Sequence, residues 1–398
     1  MDIQSGQAAD QLFSAIFQSS VNVDYMVNSA MTRGIDLYTN GNYEGAVTEF
    51  KRVAALSPVS DNAITAYNYS AMAYLKLGRT DDAIKTYKTA MRVSPTDDTL
   101  HLALGNIYYD QNNYDSAVKE YQAAVNLNSQ DTTNWYSLGQ ALISTGNYDK
   151  AEDAFTKVKQ IAPQDYSGYY GLGQVSYKQG DYEKAIGLFQ KVLEIKHDFT
   201  AAHVDLGYAY ADMGDFDKAK EQVKLLNGSD DQSSASLLDS YIYQKTPPKL
   251  FAAYTAGGFD VSLGPGTEVS TLAPSLSTGR ASKTFTMDFI FSKSMDAASV
   301  QNPYNWQISR AAYGTPGGAY NWGLSVPSTE AQISLNPINV VYKADQLTAE
   351  VTFQIKQNSS ADATIDPSHI IFKCAAKDAY GNAMDTSANE YGGFSAIV

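Results

Sequence analysis

The chain predicts a multidomain α + β protein, a solenoid of helix pairs followed by antiparallel β-structure. Three observations predict it. A fixed period of 34 residues runs through the first part of the 398-residue chain. A hinge-like Thr246-Pro247-Pro248 then ends the helical pattern. Beyond it, short β-branched and aromatic stretches alternate with Gly, Pro, Asn and Ser turns. A period of this size marks stacked supersecondary units, and period-2 alternation marks strands.

The period is carried by one alanine in each of six phrases, GNYEGA, GRTDDA, NNYDSA, GNYDKA, GDYEKA and GDFDKA, at Ala46, Ala83, Ala117, Ala151, Ala185 and Ala219. The last five are evenly spaced; the first gap is three residues longer, with the insertion near Pro58–Ala63. In each unit a first helix carries a Leu-Gly pair (Leu104-Gly105, Leu138-Gly139, Leu172-Gly173, Leu206-Gly207), with His101, Trp135, Tyr169 or His203 three residues ahead of the Leu. The Gly is expected to let a neighbouring helix backbone approach. Gly41, Gly78, Asn112, Gly146, Gly180 and Gly214 suit the left-handed turn that ends that helix. An acidic residue then opens the second helix and complements its dipole. Phe50, Tyr87, Tyr121, Phe155, Phe189 and Val223 lie on its apolar face. Pro58, Pro95 and Pro163 stop three of the second helices.

These six in-register phrases closely resemble the tetratricopeptide repeat family, over about half of the chain. The resemblance implies a right-handed superhelix whose concave groove receives a peptide or partner protein. It also implies which side chains face that groove: Asn106, Tyr109, Tyr136, Gln140, Tyr170, Gln174, Tyr177 and Tyr208. This lining is aromatic and amide, with Lys76 and Lys178 its few cations. It lacks the basic set of a clamp for acidic C-termini. Rings that stack and amides that satisfy polar groups suit an extended segment, a partner helix or a sugar-bearing chain.

Residues 1–26 read as an N-terminal arm. Leu12, Phe13, Ile16 and Phe17 share one face of a short amphipathic helix. It is expected either to cap the first repeat or to dock on another subunit or partner, and a non-Sec export signal is a third reading. No Sec-type leader is visible at this start. Residues 27–246 form the solenoid, closed by a helix over Ser233–Gln244 with Leu237, Leu238, Tyr241 and Ile242 on one side. Residues 247–398 form the β-domain, with strands expected in KLFAAYT, KTFTMDFIF, NWQIS, INVVYKA, LTAEVTFQI and HIIFKCAA. The segment from Asp385 to Val398 is expected to pair within this domain or on a neighbour's edge. FSKSMDAASV (Phe291–Val300) and KDAYGNAMD (Lys377–Asp385) resemble the landmark turns of bacterial Ig-like domains of the surface-layer-protein type. That resemblance implies an antiparallel Ig-like β-sandwich and a place outside the cell. It departs from the family pattern by an insertion around Ala311–Ser328.

With a net charge of −14 and no basic stripe, the chain is a poor match for nucleic acid or an anionic membrane surface. Cys374 is the only cysteine, so no intrachain disulfide forms, and its strand context reads as a buried apolar residue. No H-E-x-x-H, G-x-S-x-G or G-x-x-x-x-G-K-[ST] pattern occurs, and no cofactor or metal site is expected. Gly171-Leu172-Gly173 lies within a helix without a preceding strand, so it is packing rather than a dinucleotide loop. His101 and His203 take the helix position of Trp135 and Tyr169 and are read as packing residues as well.

The expected function is that of a non-enzymatic protein–protein interaction and assembly scaffold. It would be a component of a bacterial cell surface or extracellular filament, a homo-oligomer or a binder of an exported protein, without membrane insertion. Two alternatives stay open: an export chaperone or adaptor for a secreted or flagellar protein, working in the cytoplasm or periplasm, and a carbohydrate-binding accessory protein.

Overall fold

The computed structural model describes residues 22–228, 231–313 and 318–392. Leu12, Phe13, Ile16 and Phe17 lie outside the described residues, as does the end of the C-terminal segment. The chain forms two compact units. One extends to Met213 and takes in Glu221–Gln232; the other comprises Gly214–Lys220 and the residues from Ser233 onward.

Helices follow one another in pairs: α1 (22–39) and α2 (Tyr43–Leu56), α3 (Asp61–Lys76) and α4 (Thr80–Val93), α5 (Asp98–Asp110) and α6 (Tyr114–Leu127). The series continues with α7 (Thr132–Ser144) and α8 (Tyr148–Ile161), α9 (Ser167–Lys178) and α10 (Tyr182–Ile195), α11 (Thr200–Met213) and α12 (Phe216–Asn227), and then a single helix, α13 (Gln232–Lys245). Side-chain oxygens of Asn42, Ser60, Asp97, Asn113, Asp131 and Asp181 accept from backbone N–H groups of the helices they precede, satisfying donors that would otherwise lack partners. The helices α2, α4 and α8 end at Leu56, Val93 and Ile161, each two residues before the Pro that the sequence marks as a stop. Five turn glycines have positive φ, and Asn112 holds the same place with φ 58°.

The repeat glycine acts differently from the sequence expectation. A Cβ on Gly34, Gly105, Gly139 or Gly173 would lie 2.5–2.6 Å from the ring of Phe50, Tyr121, Phe155 or Phe189. Each ring comes from the second helix of the same pair, so the glycine makes room for an aromatic side chain and not for a backbone. Phe155 is closed in further by Gly171 of the next pair. The rings of Phe50, Phe155 and Phe189 are fully buried, and such burial stabilises by about 1.5–3 kcal/mol each. Residues around them repeat from pair to pair, giving contiguous apolar clusters along the array.

The second unit is β-rich, and its strands pair in antiparallel ladders. The strands are β1 (Leu250–Thr255), β2 (Thr267–Glu268), β3 (Ser282–Phe291), β4 (Trp306–Arg310) and β5 (Gln332–Ile333). They are followed by β6 (Asn339–Lys343), β7 (Thr348–Lys356), β8 (Thr364–Ile365), β9 (Ile370–Cys374) and β10 (Glu390–Gly392). One sheet has the order β1-β3-β7-β5 with β6 also on β7; a second is β10-β9-β4; β2 and β8 form a short ribbon. All six expected stretches contain strands, and β10 pairs within the unit on β9. The two-residue strands β2, β5 and β8 are too short to show a period.

Phe285, Met287, Phe289 and Phe291 alternate inward along β3, where they meet Trp306, Phe353 and Phe372 from β4, β7 and β9. The Phe289 and Phe372 ring centroids lie 5.3 Å apart. Cys374 is buried here and its thiol pKa is pushed up to about 12 by burial. The burial favours the neutral thiol and leaves it chemically inert.

Within this unit the helix α13 ends in a polar clamp. Lys293 Nζ donates to the carbonyls of Tyr243 (2.6 Å), Gln244 (3.4 Å) and Thr246 (2.9 Å), capping the helix C-terminus with a positive charge. The same ammonium pairs with Asp378 at 2.7 Å, both side chains nearly inaccessible, and lies near the rings of Tyr243 and Tyr380. Asn382 Nδ2 donates to Asp378 (2.8 Å) and to the Gln244 carbonyl (2.5 Å). Burial alone would raise the Asp378 pKa, yet hydrogen bonds from Lys293 and Asn382 hold it below the ordinary value. The buried stripe of α13 is Ala235, Leu238 and Ile242, whereas Leu237, expected on it, is 65% exposed. The spacing of three and then four residues selects one face, and Leu237 falls off it.

Candidate functional site

The first helices of successive pairs touch one another, α5 on α7, α7 on α9 and α9 on α11. They carry a continuous polar-aromatic ladder. Gln140 Nε2 on α7 donates to Gln174 Oε1 on α9 at 2.7 Å, and Gln174 Nε2 in turn donates to Asp205 Oδ2 on α11 at 3.5 Å. The hydroxyls of Tyr136 and Tyr170 stand beside this chain of groups, close enough for Gln140 and Asp205 to act on their ionisation. One helical turn farther along, Tyr109 Oη and Ser144 Oγ are 3.2 Å apart, and Tyr177 Oη donates to Asp212 Oδ2 at 2.5 Å. The Gln140–Gln174, Gln174–Asp205, Tyr109–Ser144 and Tyr177–Asp212 links each cross from one pair to the next.

The eight expected residues therefore divide by environment. Gln140, Gln174, Tyr136 and Tyr170 are brought together in the ladder. Asn106 is exposed and accepts from the Tyr121 hydroxyl at 2.7 Å. Tyr109 and Tyr177 each sit edge-on or tilted against the tyrosine that opens the following helix, Tyr114 and Tyr182. The Tyr170 ring is packed against Phe189 and Phe199 and retains only 8% of its surface. Burial raises the pKa of Tyr170 and of Tyr208, and pushes that of Tyr136 up to about 12. All three therefore stay neutral hydrogen-bonding groups at physiological pH.

Two carboxylates escaped the sequence reading. Asp205 precedes its Leu by one residue, and Ala103, Ser137 and Gly171 hold the equivalent place in other repeats. A charge where three repeats put a small residue was the available signal. Asp212 stands where other repeats have Asp110, Ser144 and Lys178, a position with no common chemistry. Burial raises the Asp205 pKa, against the hydrogen bonds from Tyr170 and Gln174 and the charge of Lys178, which act to lower it.

The two repeat histidines do more than fill space. His101 Nδ1 lies 2.8 Å from Glu120 Oε2. His203 Nδ1 lies 2.8 Å from Gln222 Oε1, with its Nε2 3.0 Å from the His197 carbonyl. Among the described residues there is no group of three or more His, Cys, Asp or Glu that could hold a metal ion. No helix among them is long and apolar enough to cross a membrane.

Three tetratricopeptide-repeat family models match the chain: one over residues 31–98, one over 176–238, and the cytochrome c-type biogenesis protein H TPR domain over 88–201. They run together through the helical region, which is built of tetratricopeptide repeats. Solved structures similar to this chain include a tetratricopeptide repeat protein from Parabacteroides merdae, with 16% identity and a TM-score of 0.49, covering 55% of this chain and 86% of that one. The MamA protein has 25% identity and a TM-score of 0.38, covering 43% and 92%. PilF of Pseudomonas aeruginosa has 16% identity and a TM-score of 0.44, covering 55% and 99%. A comparison with curated proteins finds no match.

Proposed function

We propose that the chain is a non-enzymatic assembly scaffold that grips a segment of a partner protein along its first helices. The observation that carries this reading is the ladder from Gln140 through Gln174 to Asp205, polar groups set in series on successive first helices, with Tyr136 beside it. Such groups match an extended backbone, whose own donors and acceptors recur at a fixed rise. The β-rich unit is read as an Ig-like sandwich of the surface-layer-protein type. Supporting this, its two landmark turns, FSKSMD and DAYGN, meet at the Lys293–Asp378 pair. Together the modules fit a component of a bacterial surface or filament that assembles with its own copies or with an exported protein.

Photocrosslinking tests the groove. A benzophenone side chain placed at Gln140 or at Gln174 should trap the same partner segment in intact cells, while one at exposed Lys157 should not. Equal trapping at all three positions would sink the groove reading. Shearing cells and following the protein tests the surface role: a filament component is released, and one retained with the cells is not. Removing residues 1–24 and measuring mass by light scattering tests the arm, since an unchanged oligomer rules it out as the connector.

A further inference from the structure

We propose that Asp205 is the specificity position of this groove and that the segment it receives carries a cationic side chain, preferentially a guanidinium. The inference rests on the groove reading above and adds the chemistry of the occupant.

Asp205 differs from the carboxylates of the array that are ion-paired. Glu49, Glu44, Asp82, Glu152 and Glu194 each pair with an Arg or Lys of the chain at the protein surface. The Asp205 side chain is half-buried, and the donor within hydrogen-bond reach of it is neutral, the Gln174 amide at 3.5 Å. No cation of the described residues lies within ion-pair distance of it. A carboxylate withdrawn from water without a counter-charge is costly, and one arriving cation offsets that cost. Two further features select the kind of cation. Among the described residues no cluster of ligating side chains surrounds Asp205 to hold a bare metal ion. Aromatic side chains stand near it: its charge acts on the hydroxyls of both Tyr170 and Tyr208. A planar guanidinium both forks onto a carboxylate and stacks on rings, which a hydrated ammonium does less well. Lys178, exposed and one turn along α9, is the nearest competitor from the chain itself.

The test is selection of a random nonapeptide phage library on the full chain, followed by affinity measurements on the selected peptides as synthetic copies. Peptides that bind are expected to share one Arg or Lys. Asp205→Asn keeps shape and hydrogen bonding but removes the charge. It should weaken them about thirtyfold or more, the smaller end of what losing one partner of a buried charge pair removes. Lys178→Met should tighten them, a gain that a merely structural Asp205 would not produce. Selected peptides without a shared cation, or affinities indifferent to Asp205→Asn, overturn the inference and leave the groove intact. A library that yields no binders, or binders indifferent to Tyr136→Ala with Gln140→Ala, overturns the groove reading and the inference with it.

Discussion

The repeat array and the β-rich unit bury similar kinds of side chain by opposite routes. In the array a ring meets its glycine sixteen residues away, Phe50 with Gly34, Phe155 with Gly139 and Phe189 with Gly173, and the same contact recurs down the chain. In the β-rich unit the decisive contact is made once. Lys293 reaches Asp378 and the end of α13, groups separated by long stretches of chain. A local contact that recurs limits the damage of any one change to neighbouring repeats, whereas a singular long-range contact has no duplicate.

The largest expected effect follows from that difference. Lys293→Met leaves Asp378 buried without its cation and the carbonyls of Tyr243, Gln244 and Thr246 without their donor, and should cost about 3–5 kcal/mol. Denaturant unfolding would measure it, with hydrogen exchange assigning the loss to the β-rich unit and to residues 240–246. Acid should act on the same contact. Because the folded Asp378 pKa is depressed, its contribution is complete above the ordinary value of about 3.9 and fades as pH falls through the lower folded value. An acid transition unaltered by Lys293→Met would break the comparison, since the clamp would then not be what acid releases.

How much of this was legible in the sequence follows the same division. The helix pairs were readable because phrases such as GNYDKA and GDYEKA state the period outright, and the turn glycines mark where each first helix ends. The six longer strands were readable because β-branched and aromatic stretches are bounded by turn residues, most plainly on β3, where Phe285, Met287, Phe289 and Phe291 alternate. The motif containing Lys293 was readable as a turn, but its partners lie on α13 and near Asp378, and nothing local joins them. At the candidate site the amides Gln140 and Gln174 follow from the period, whereas Asp205 stands one position off the register that the repeat family implies. The role of the Leu-Gly glycine was misassigned because the period fixes its place and not what faces it.

A change of intermediate size sharpens the local half of the comparison. Gly139→Ala puts a methyl 2.6 Å from the Phe155 ring, and because Gly171 closes the other side the ring has little room to retreat. Overpacking of this kind should cost about 1–3 kcal/mol. Exchange should quicken in α7 and α8 and their neighbours and stay unchanged in the β-rich unit. Relief by Phe155→Leu in the double variant would show that the ring, not the glycine's backbone freedom, sets the cost. A double variant no better than the single one would mean the backbone does.

The smallest effect concerns the turns, where two repeats solve one problem with different residues. Gly146 has φ 74° and open space around it, so Gly146→Ala meets no clash and pays only for the left-handed backbone, about 1 kcal/mol. The third repeat places Asn112 at φ 58° instead, its Oδ1 accepting from the Tyr114 hydroxyl at 2.7 Å. Tyr148 stands at the same offset from Gly146. Gly146→Asn therefore supplies both an amide that tolerates this conformation and a partner for it, and should change stability by less than about 0.5 kcal/mol. Thermal melts of the two variants side by side give the difference directly. If the asparagine variant falls as far as the alanine one, the third repeat's turn is held by contacts of its own surroundings, and the repeats are not interchangeable at this position.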